Sequence, residues 1–439
     1  MKKIMLSALL SVSLLLSGCS FGTFSVDTLL AAPKLSEEQK QIHEKVIESI
    51  GSDIVLKYPK SGENRSAFVV ADIDDEPTDE AIVFYEHSNI FNADVGINIC
   101  VLDKTSDDNW KVKHKFTGPG TDIDRIIVTK LGKNEKTSII VGYSTLNINE
   151  KALEIYNYAD GTMNLIASDT YNVIETIDLN NDKYNEIVLV QSGAEGENAT
   201  ASVLTIKDSQ IIKSSTSNLL TPSEAIVNYT KGKVSQRNKA LFVDSRNADG
   251  TLRTEFLLYR YDALQNPVYQ IGQELSTKTS RPDGYYSADV DGDGIIEIPT
   301  VTPLKGYEML PAEQQLYLTT WNQYTDFYKL TPKVVGYYSI SKGYMLQLPQ
   351  EVIDKVTVKR DDITGEAVFY EYNNSLEEST TELFRISVCP KSESEGYVNM
   401  GYSIITSVGQ IDYLAKISDN KYVEYIPDIL TLRRNFYVV

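Results

Sequence analysis

The sequence is poor in the residues that the commonest catalytic and metal–thiolate sites use. Its 439 residues contain only three cysteines, three histidines and two tryptophans. The histidines, His43, His87 and His114, are far apart, and the chain has no HExxH, GxSxG, P-loop or CxxC motif. These absences argue against a zinc protease, an α/β-hydrolase, a nucleotide-binding enzyme and a thiol oxidoreductase.

Cysteine is also too scarce for a disulfide framework. Cys100 and Cys389 lie far apart in apolar, strand-like segments, a setting typical of buried thiols. Stability must therefore come from packing, which an apolar content of 42% supports.

Basic residues are in the minority. The chain has 42 lysines and arginines against 61 aspartates and glutamates, so its formal net charge is −19. This balance argues against nucleic acid as a partner and favours divalent cations.

Long apolar runs are missing as well, which makes the amino terminus informative. Its apolar stretch, residues 4–16, is too short to span a bilayer and leads into the tetrapeptide LSGC, which ends at Cys19. LSGC resembles a bacterial lipobox. The resemblance implies a signal peptide over residues 1–18, a lipid-modified (palmitate-bearing) Cys19, a tether over residues 19–35 and a lipoprotein anchored at the extracytoplasmic face of the cell membrane. The alternative is an ordinary signal peptide with an incidental Cys19.

Three acidic loops recur along the chain, within residues 71–85, 177–191 and 287–301. Each has oxygen-bearing side chains at positions 1, 3, 5 and 9, the kind of spacing that surrounds Ca²⁺ with hard ligands, and an apolar run follows. We call them the first, middle and last acidic loops. The candidate ligands are Asp72, Asp74, Glu76 and Glu80 in the first loop, Asp178, Asn180, Asp182, Tyr184 and Glu186 in the middle loop, and Asp289, Asp291, Asp293, Ile295 and Glu297 in the last loop.

The spacing of these loops is about twice the length of one four-stranded unit, so further copies should lie between them. Residues 129–143 and 230–244 have the same polar loop and apolar strand but have lost the carboxylates. Around each loop, short segments rich in β-branched and aromatic residues are separated by turn signals. The pattern predicts a mainly β protein with a propeller-like domain of about five four-stranded blades.

The acidic loops resemble FG-GAP/VCBS-type repeats of bacterial surface proteins and integrin-like β-propellers, whose loops follow roughly D-x-[DN]-x-D-G-x-x-[DE]. The last loop matches at every position. The middle loop has Lys183 in place of the glycine, and the first loop has Glu76 and Pro77 at positions 5 and 6. The resemblance covers roughly residues 60–340 and implies structural Ca²⁺ between the first two strands of a blade.

Other interpretations of the loops are less consistent with the sequence. An EF-hand or dockerin loop needs a carboxylate at position 12, where the three copies have Val83, Leu189 and Thr300. A glycosidase takes its two carboxylates from separate elements facing a cleft and needs them once, whereas these crowd one loop and repeat. An acidic, solvated turn without an ion remains open for each loop.

The two ends of the repeat region differ in character. Residues 36–51 predict a helix with Ser36 as its N-cap and Gly51 as its terminator. Residues 52–339 form the predicted propeller region. Residues 340–439 lack acidic repeats and predict a small α+β domain with an antiparallel sheet.

With no reaction centre visible, the sequence predicts a surface-anchored lipoprotein that is not an enzyme. It would act as a calcium-stabilised binding or scaffold module at the cell envelope, with an unidentified protein or glycan ligand. The alternative is a propeller-fold hydrolase or lyase that acts on envelope or extracellular polysaccharide. A carboxylate pair that faces the central channel, outside the three loops, would favour that alternative.

Overall fold

The structure, a computed structural model, describes most of the chain after its amino-terminal segment. The described residues are 35–88, 96–133, 136–147, 150–194, 196–207, 210–271, 277–325, 329–419 and 425–439. The predicted signal peptide, Cys19 and nearly all of the predicted tether therefore lie outside the described residues.

Five antiparallel sheets follow one another along the chain, and we call them blades 1 to 5. Blade 1 comprises β1 (Ile54–Leu56), β2 (Phe68–Ala71), β3 (Glu80–His87), β4 (Ile97–Lys104) and β5 (Trp110–Gly118). Blade 2 comprises β6 (Asp122–Lys130), β7 (Thr137–Ser144), β8 (Lys151–Ala159) and β9 (Thr162–Tyr171). Blade 3 comprises β10 (Val173–Ile177), β11 (Glu186–Gln191), β12 (Thr200–Lys207) and β13 (Gln210–Asn218).

Blades 4 and 5 continue the series with one variation. Blade 4 comprises β14 (Ile226–Lys233), β15 (Lys239–Arg246), β16 (Leu252–Arg260) and β17 (Ala263–Gln265), and is followed by helix α2 (Pro267–Ile271). Blade 5 comprises β18 (Ile298–Pro303), β19 (Tyr317–Thr325), β20 (Lys329–Ser339), β21 (Tyr344–Gln347) and β27 (Phe436–Val438). Its first strand is reduced to a bridge between Ala288 and Glu297.

A sixth antiparallel sheet forms the core of the C-terminal region. Its strands, in spatial order, are β22 (Val356–Arg360), β23 (Ala367–Glu371), β24 (Glu382–Pro390), β26 (Ile411–Ile417) and β25 (Ser403–Val408). The helices in this region are α3 (Gln350–Ile353), α4 (Ser394–Asn399) and α5 (Ile429–Arg434). The predicted fold class, a propeller-like repeat domain of five blades with a C-terminal α+β domain, is confirmed.

The domain boundary predicted between residues 339 and 340 falls within continuous structure. Strand β21 pairs with β20, and β27, at the end of the chain, pairs with β21. Tyr337, Tyr344 and Phe369 belong to one buried cluster that joins blade 5 to the C-terminal sheet. Blade 5 therefore takes strands from both sides of the predicted boundary.

The central strands of the blades are buried on both faces, which explains their nearly continuous apolar sequences. In β7, Ile139 and Val141 pack with residues of blade 1, whereas Ile140 packs with residues of blade 3. This alternation follows from the two-residue period of a strand. Burying each such side chain contributes about 1.5–3 kcal/mol. Similar clusters join blade 3 to blade 4 and blade 4 to blade 5.

Helix α1 (Glu37–Ile50) covers the face of blade 1 that points away from blade 2. Its N-cap is Ser36, whose hydroxyl accepts the N–H of Gln39 in a capping box, and its C-cap is Gly51, in agreement with the predicted helix. Ile42 and Val46 are fully buried against blade 1. The helix thus shields the apolar face of a terminal repeat from water.

Two further sequence-based expectations can be compared with the structure. Cys100 and Cys389 are buried free thiols, as predicted. Among the described residues, no helix has the length and apolarity that crossing a membrane requires.

Candidate functional site

The three acidic loops share one hydrogen bond that defines their shape. In each loop the glutamate at position 9 begins the second strand of the blade or directly precedes it. One of its carboxylate oxygens accepts the N–H of the residue at position 2, which closes the loop. The donor and acceptor pairs are Ile73 and Glu80 (3.0 Å), Leu179 and Glu186 (3.0 Å), and Val290 and Glu297 (2.9 Å).

These three glutamates are buried, and their charge is costly without a cation. Glu80, Glu186 and Glu297 are 1%, 5% and 0% exposed. Burial, together with a smaller contribution from neighbouring loop carboxylates, raises the pKa of each to about 7. A bound cation would offset both effects, because it lies close to all of the carboxylates at once.

The backbone of the middle loop matches that of the last loop despite its missing glycine. Gly292 and Gly294, at positions 4 and 6 of the last loop, have φ of +78° and +81°. Asn181 and Lys183, at the same positions of the middle loop, have φ of +62° and +78°. Lys183 therefore adopts the left-handed conformation that glycine adopts in the last loop, at a cost in strain.

The backbone of the first loop follows this shape at position 4 but departs from it at position 6. Asp75, at position 4, has φ of +64°, but Pro77 occupies position 6 and proline cannot take a positive φ. Glu76, predicted as the ligand at position 5, is exposed, and its N–H donates to Asp74 at 3.1 Å. The sequence difference at positions 5 and 6 thus changes the local conformation.

Two loops bring three carboxylates close enough to share one cation. In each of these loops, one oxygen from each of three side chains lies within 4.8 Å of the other two. The residues are Asp72, Asp74 and Glu80 in the first loop, and Asp289, Asp291 and Glu297 in the last loop.

The middle loop offers a different sign of a cation site. Asp178 Oδ1 is buried and has no hydrogen-bond partner within the described part of the chain. Its other oxygen lies 3.0 Å from Lys239 Nζ, and Asn180 donates to Glu186 at 2.9 Å. A buried carboxylate oxygen without a partner calls for an explanation, and a bound ion supplies one. The residues of all three loops therefore fit Ca²⁺.

The residues at position 7, Tyr184 and Ile295, were also predicted as ligands, and Ile295 could contribute only its backbone carbonyl. In the structure, the N–H of Ile295 donates to Asp293 Oδ1 at 2.8 Å, and the N–H of Tyr184 donates to Asp182 Oδ1 at 3.0 Å. These bonds orient the position-5 carboxylates. Calcium coordination by any of these residues stays a prediction.

The carboxylate-poor loops of blades 2 and 4 bind the acidic loops of the following blades. The N–H of Gly132 donates to the Asn185 carbonyl at 3.0 Å. The N–H of Lys233 donates to the Gly294 carbonyl, and its own carbonyl accepts the N–H of Ile296, both at 2.9 Å. Alternate units thus use the backbone of their loops as connectors between blades.

A polar cavity lies where the inner strands of blades 2, 3 and 4 meet the loop before β2 of blade 1, and we call it the axial cavity. One part has a volume of about 410 Å³ and a second part about 710 Å³, and Gly62, Arg125 and Glu175 line both. Residues of the loop before β2 and of strands β6, β10 and β14 form its walls.

Arg125 connects three blades and the loop before β2 at the wall of this cavity. Its side chain is 7% exposed. It donates to Ser61 Oγ at 3.1 Å, to the Ile174 carbonyl at 2.8 Å and to the Tyr229 hydroxyl, and it lies 3.5 Å from Glu175. Burial raises the pKa of Tyr229, although Arg125 opposes this, so Tyr229 is a neutral hydroxyl near pH 7.

A carboxylate pair faces the axial cavity outside the acidic loops. Lys231 Nζ lies 2.8 Å from Glu175 Oε1 and 3.9 Å from Glu63 Oε1, and all three residues line the cavity. This is the arrangement that favours the hydrolase or lyase alternative. Sequence reasoning missed these residues, because Glu175 and Lys231 lie within strands β10 and β14 and Glu63 lies in the loop before β2, with no local motif to mark them.

No protein-family model matches the chain, and no curated protein matches it. Similar solved structures include an exotype rhamnogalacturonan lyase (11% identity, TM-score 0.30, 72% of each chain covered). They also include a rhamnogalacturonan lyase of Bacillus licheniformis (10% identity, TM-score 0.30, 72% of this chain and 74% of that chain). A protein from Lactobacillus plantarum shows 12% identity and a TM-score of 0.30 over 73% of this chain and 84% of its own.

These similarities contradict one expectation. The sequence analysis predicted that the protein is not an enzyme, yet two of these three solved structures are polysaccharide lyases. The expectation rested on missing catalytic motifs, which a site assembled from several blades does not need. It is therefore withdrawn. A TM-score of 0.30 assigns neither a family nor an activity to this chain.

Proposed function

We propose that this protein is a calcium-stabilised, propeller-type protein that binds a polysaccharide segment in the axial cavity. The observation that carries the proposal is the cavity itself, where Arg125, Glu175 and Lys231 converge from three blades. Concave sites with a few convergent polar groups are typical of small-molecule and sugar recognition. The surrounding blades hold these groups on rigid strands, which limits the entropy lost on binding.

The chemistry of the cavity favours a ligand rich in hydroxyl groups. Two of its lysines are paired with carboxylates: Lys231 with Glu175 at 2.8 Å, and Lys151 with Asp124 at 2.9 Å. Paired charges leave the cavity nearly neutral while keeping strong donors and acceptors at fixed positions. Sugar hydroxyls, which both donate and accept, match such a lining.

We propose lipid attachment through Cys19 as the way the protein is held at the extracytoplasmic face of the cell membrane. The lipobox-like LSGC supports this part of the proposal. The acidic loops would bind calcium between the first two strands of blades 1, 3 and 5, with a structural role.

A second candidate function is cleavage of the bound polysaccharide, by hydrolysis or by β-elimination. The observation that favours it is the carboxylate pair, Glu63 and Glu175, bridged by Lys231 in the axial cavity. A carboxylate can act as general base or acid there, and a lysine or arginine can stabilise developing negative charge.

A panel of neutral and uronate-containing polysaccharides tests both candidates. The wild type should bind at least one class, and Lys231→Met should weaken that binding by about tenfold, which corresponds to the loss of one charge-assisted hydrogen bond. The matched control is Lys111→Met, an exposed lysine on the outermost strand of blade 1. Equal binding by wild type and Lys231→Met would contradict the assignment of the cavity.

Products are measured on the same panel. New reducing ends without ultraviolet absorbance indicate hydrolysis, whereas unsaturated, absorbing ends indicate β-elimination. Binding without products in the presence of calcium would leave only the first candidate. Products that persist in Glu175→Gln would remove Glu175 from the reaction.

A further inference from the structure

Lys333, on β20 of blade 5, reaches the last acidic loop from outside it. Its Nζ lies 2.9 Å from Asp293 Oδ2 and 3.3 Å from Asp291 Oδ2. Beside it, the amide of Gln323 donates to Glu297 Oε1 at 2.7 Å and to Asp293 Oδ2 at 3.3 Å. Two side chains from neighbouring strands, the ammonium of Lys333 and the neutral amide of Gln323, thus direct N–H donors at three predicted calcium ligands.

The other oxygens of this loop are bonded within the loop. Asp289 accepts the N–H groups of Gly292 and Gly294, both at 2.8 Å. Asp291 Oδ1 accepts the N–H of Asp293 at 3.3 Å. Together with the bonds from Val290 to Glu297 and from Ile295 to Asp293 Oδ1, these contacts give every carboxylate oxygen of the last loop a partner. The ammonium group of Lys333 supplies the full positive charge among them.

The middle loop repeats this arrangement with a different strand. Lys239, the first residue of β15, lies 3.0 Å from Asp178 Oδ2. In the first loop, by contrast, the nearby lysine Lys130 pairs with Asp75, which is outside the three-carboxylate cluster, at 2.6 Å. In the middle and last loops, therefore, a lysine contacts a carboxylate that is a predicted calcium ligand.

We propose that Lys333 is a tethered counter-cation that competes with calcium for the last acidic loop. The inference rests on the calcium binding contained in the proposed function. A lysine on a protein strand has a fixed, high local concentration, and its charge repels an incoming cation. Calcium affinity in oxygen-lined loops depends on the net charge of the ligands, and Lys333 removes one negative charge from that total.

The same contact has the opposite effect on the calcium-free loop. Without calcium, Lys333 screens the repulsion between Asp291 and Asp293, so it keeps the loop folded. Lys333 therefore gives the last loop a weak, exchangeable site in place of a permanently occupied one. The loop, which matches the family pattern best, would bind calcium less tightly than its sequence implies.

The test compares Lys333→Met with wild type by calorimetric titration of CaCl₂ into protein freed of calcium with EGTA and dialysed. The double variant Asp291→Asn/Asp293→Asn lacks the last site, so subtracting its signal isolates that loop. Lys329→Met, at the start of the same strand, is the matched control. We expect Lys333→Met to bind calcium about threefold to tenfold more tightly at this site, given the strength of exposed ion pairs and the effect of ligand charge.

A second readout separates competition from simple structural damage. In EGTA, Lys333→Met should melt at a lower temperature than wild type, and saturating calcium should remove or reverse that difference. Unchanged or weaker calcium binding by Lys333→Met would overturn the inference and leave calcium binding itself intact. If neither protein binds calcium at this loop, the inference and the calcium part of the proposed function both fail.

Discussion

Replacing Arg281 by methionine tests how blade 5 is joined to blade 4. The Arg281 side chain is 0% exposed, and its Nη2 lies 2.8 Å from Asp244 Oδ1 on β15. Its remaining donors bond the carbonyls of Thr279 and Tyr285, within the segment that leads into blade 5. Asp244 also accepts the N–H of Ser287 at 2.8 Å. The buried Arg281–Asp244 ion pair and its hydrogen bonds thus hold the segment that leads into blade 5 against β15 of blade 4.

The expected cost follows from the burial of both partners. Removing one member of a buried pair leaves the other charge uncompensated, which costs about 3–5 kcal/mol. Methionine fills much of the volume of Arg281, so little is added for a cavity. Asp244 keeps its bonds from Thr254 and Ser287, which holds the cost within this range. The double variant Arg281→Met/Asp244→Asn should recover about 1–3 kcal/mol relative to the sum of the two single changes.

Urea denaturation followed by tryptophan fluorescence is the assay. The two tryptophans, Trp110 in blade 1 and Trp321 in blade 5, are both buried, so Trp110→Phe makes the signal report on blade 5 alone. Arg281→Met should lower the free energy of unfolding of blade 5 by about 3–5 kcal/mol. A loss below about 1 kcal/mol would refute the view that this pair joins the two blades, since an exposed pair would account for it.

Three further predictions address the anchor and local structure. Cys19→Ser should release the protein from membranes or leave its precursor unprocessed; unchanged detergent partitioning and normal processing would contradict lipidation. Lys183→Gly should raise the free energy of unfolding by about 0.5–1 kcal/mol because glycine relieves the left-handed strain, with Asn181→Gly giving less; no gain from Lys183→Gly would show that Lys183 is unstrained. Ser36→Ala should cost about 1 kcal/mol by removing the N-cap, measured by urea denaturation, and no loss would contradict the role of the capping box.

The repeats were predictable because each depends on a short stretch of sequence. A short run of apolar, β-branched residues identifies β7 from its own sequence, and Ser36 and Gly51 identify the ends of α1. The acidic loops were visible for the same reason, since positions 1 to 9 supply both the side chains and the turn. Local signals of this kind survive in a single sequence.

The rest of the molecule depends on contacts between distant residues. Strand β27 pairs with β21 across most of the C-terminal region, and nothing within either strand indicates its partner. The axial cavity requires Arg125 and Lys231 to approach Glu175 from different blades. Lys333 lies forty residues beyond the Asp293 that it contacts. Such distances cannot be inferred before the arrangement of the blades is known.

We propose, above all, that the acidic loops of alternate blades bind calcium and thereby stabilise the propeller. Extracellular sites of this kind have Kd on the order of 10⁻⁴–10⁻³ M, so millimolar calcium should add about 1 kcal/mol per occupied site by mass action. Side-by-side melting in EGTA and in millimolar CaCl₂ measures this directly. We expect calcium to raise the melting temperature of the wild type, and Asp291→Asn/Asp293→Asn to show a smaller rise. Identical melting temperatures of the wild type in EGTA and in CaCl₂ would contradict the account.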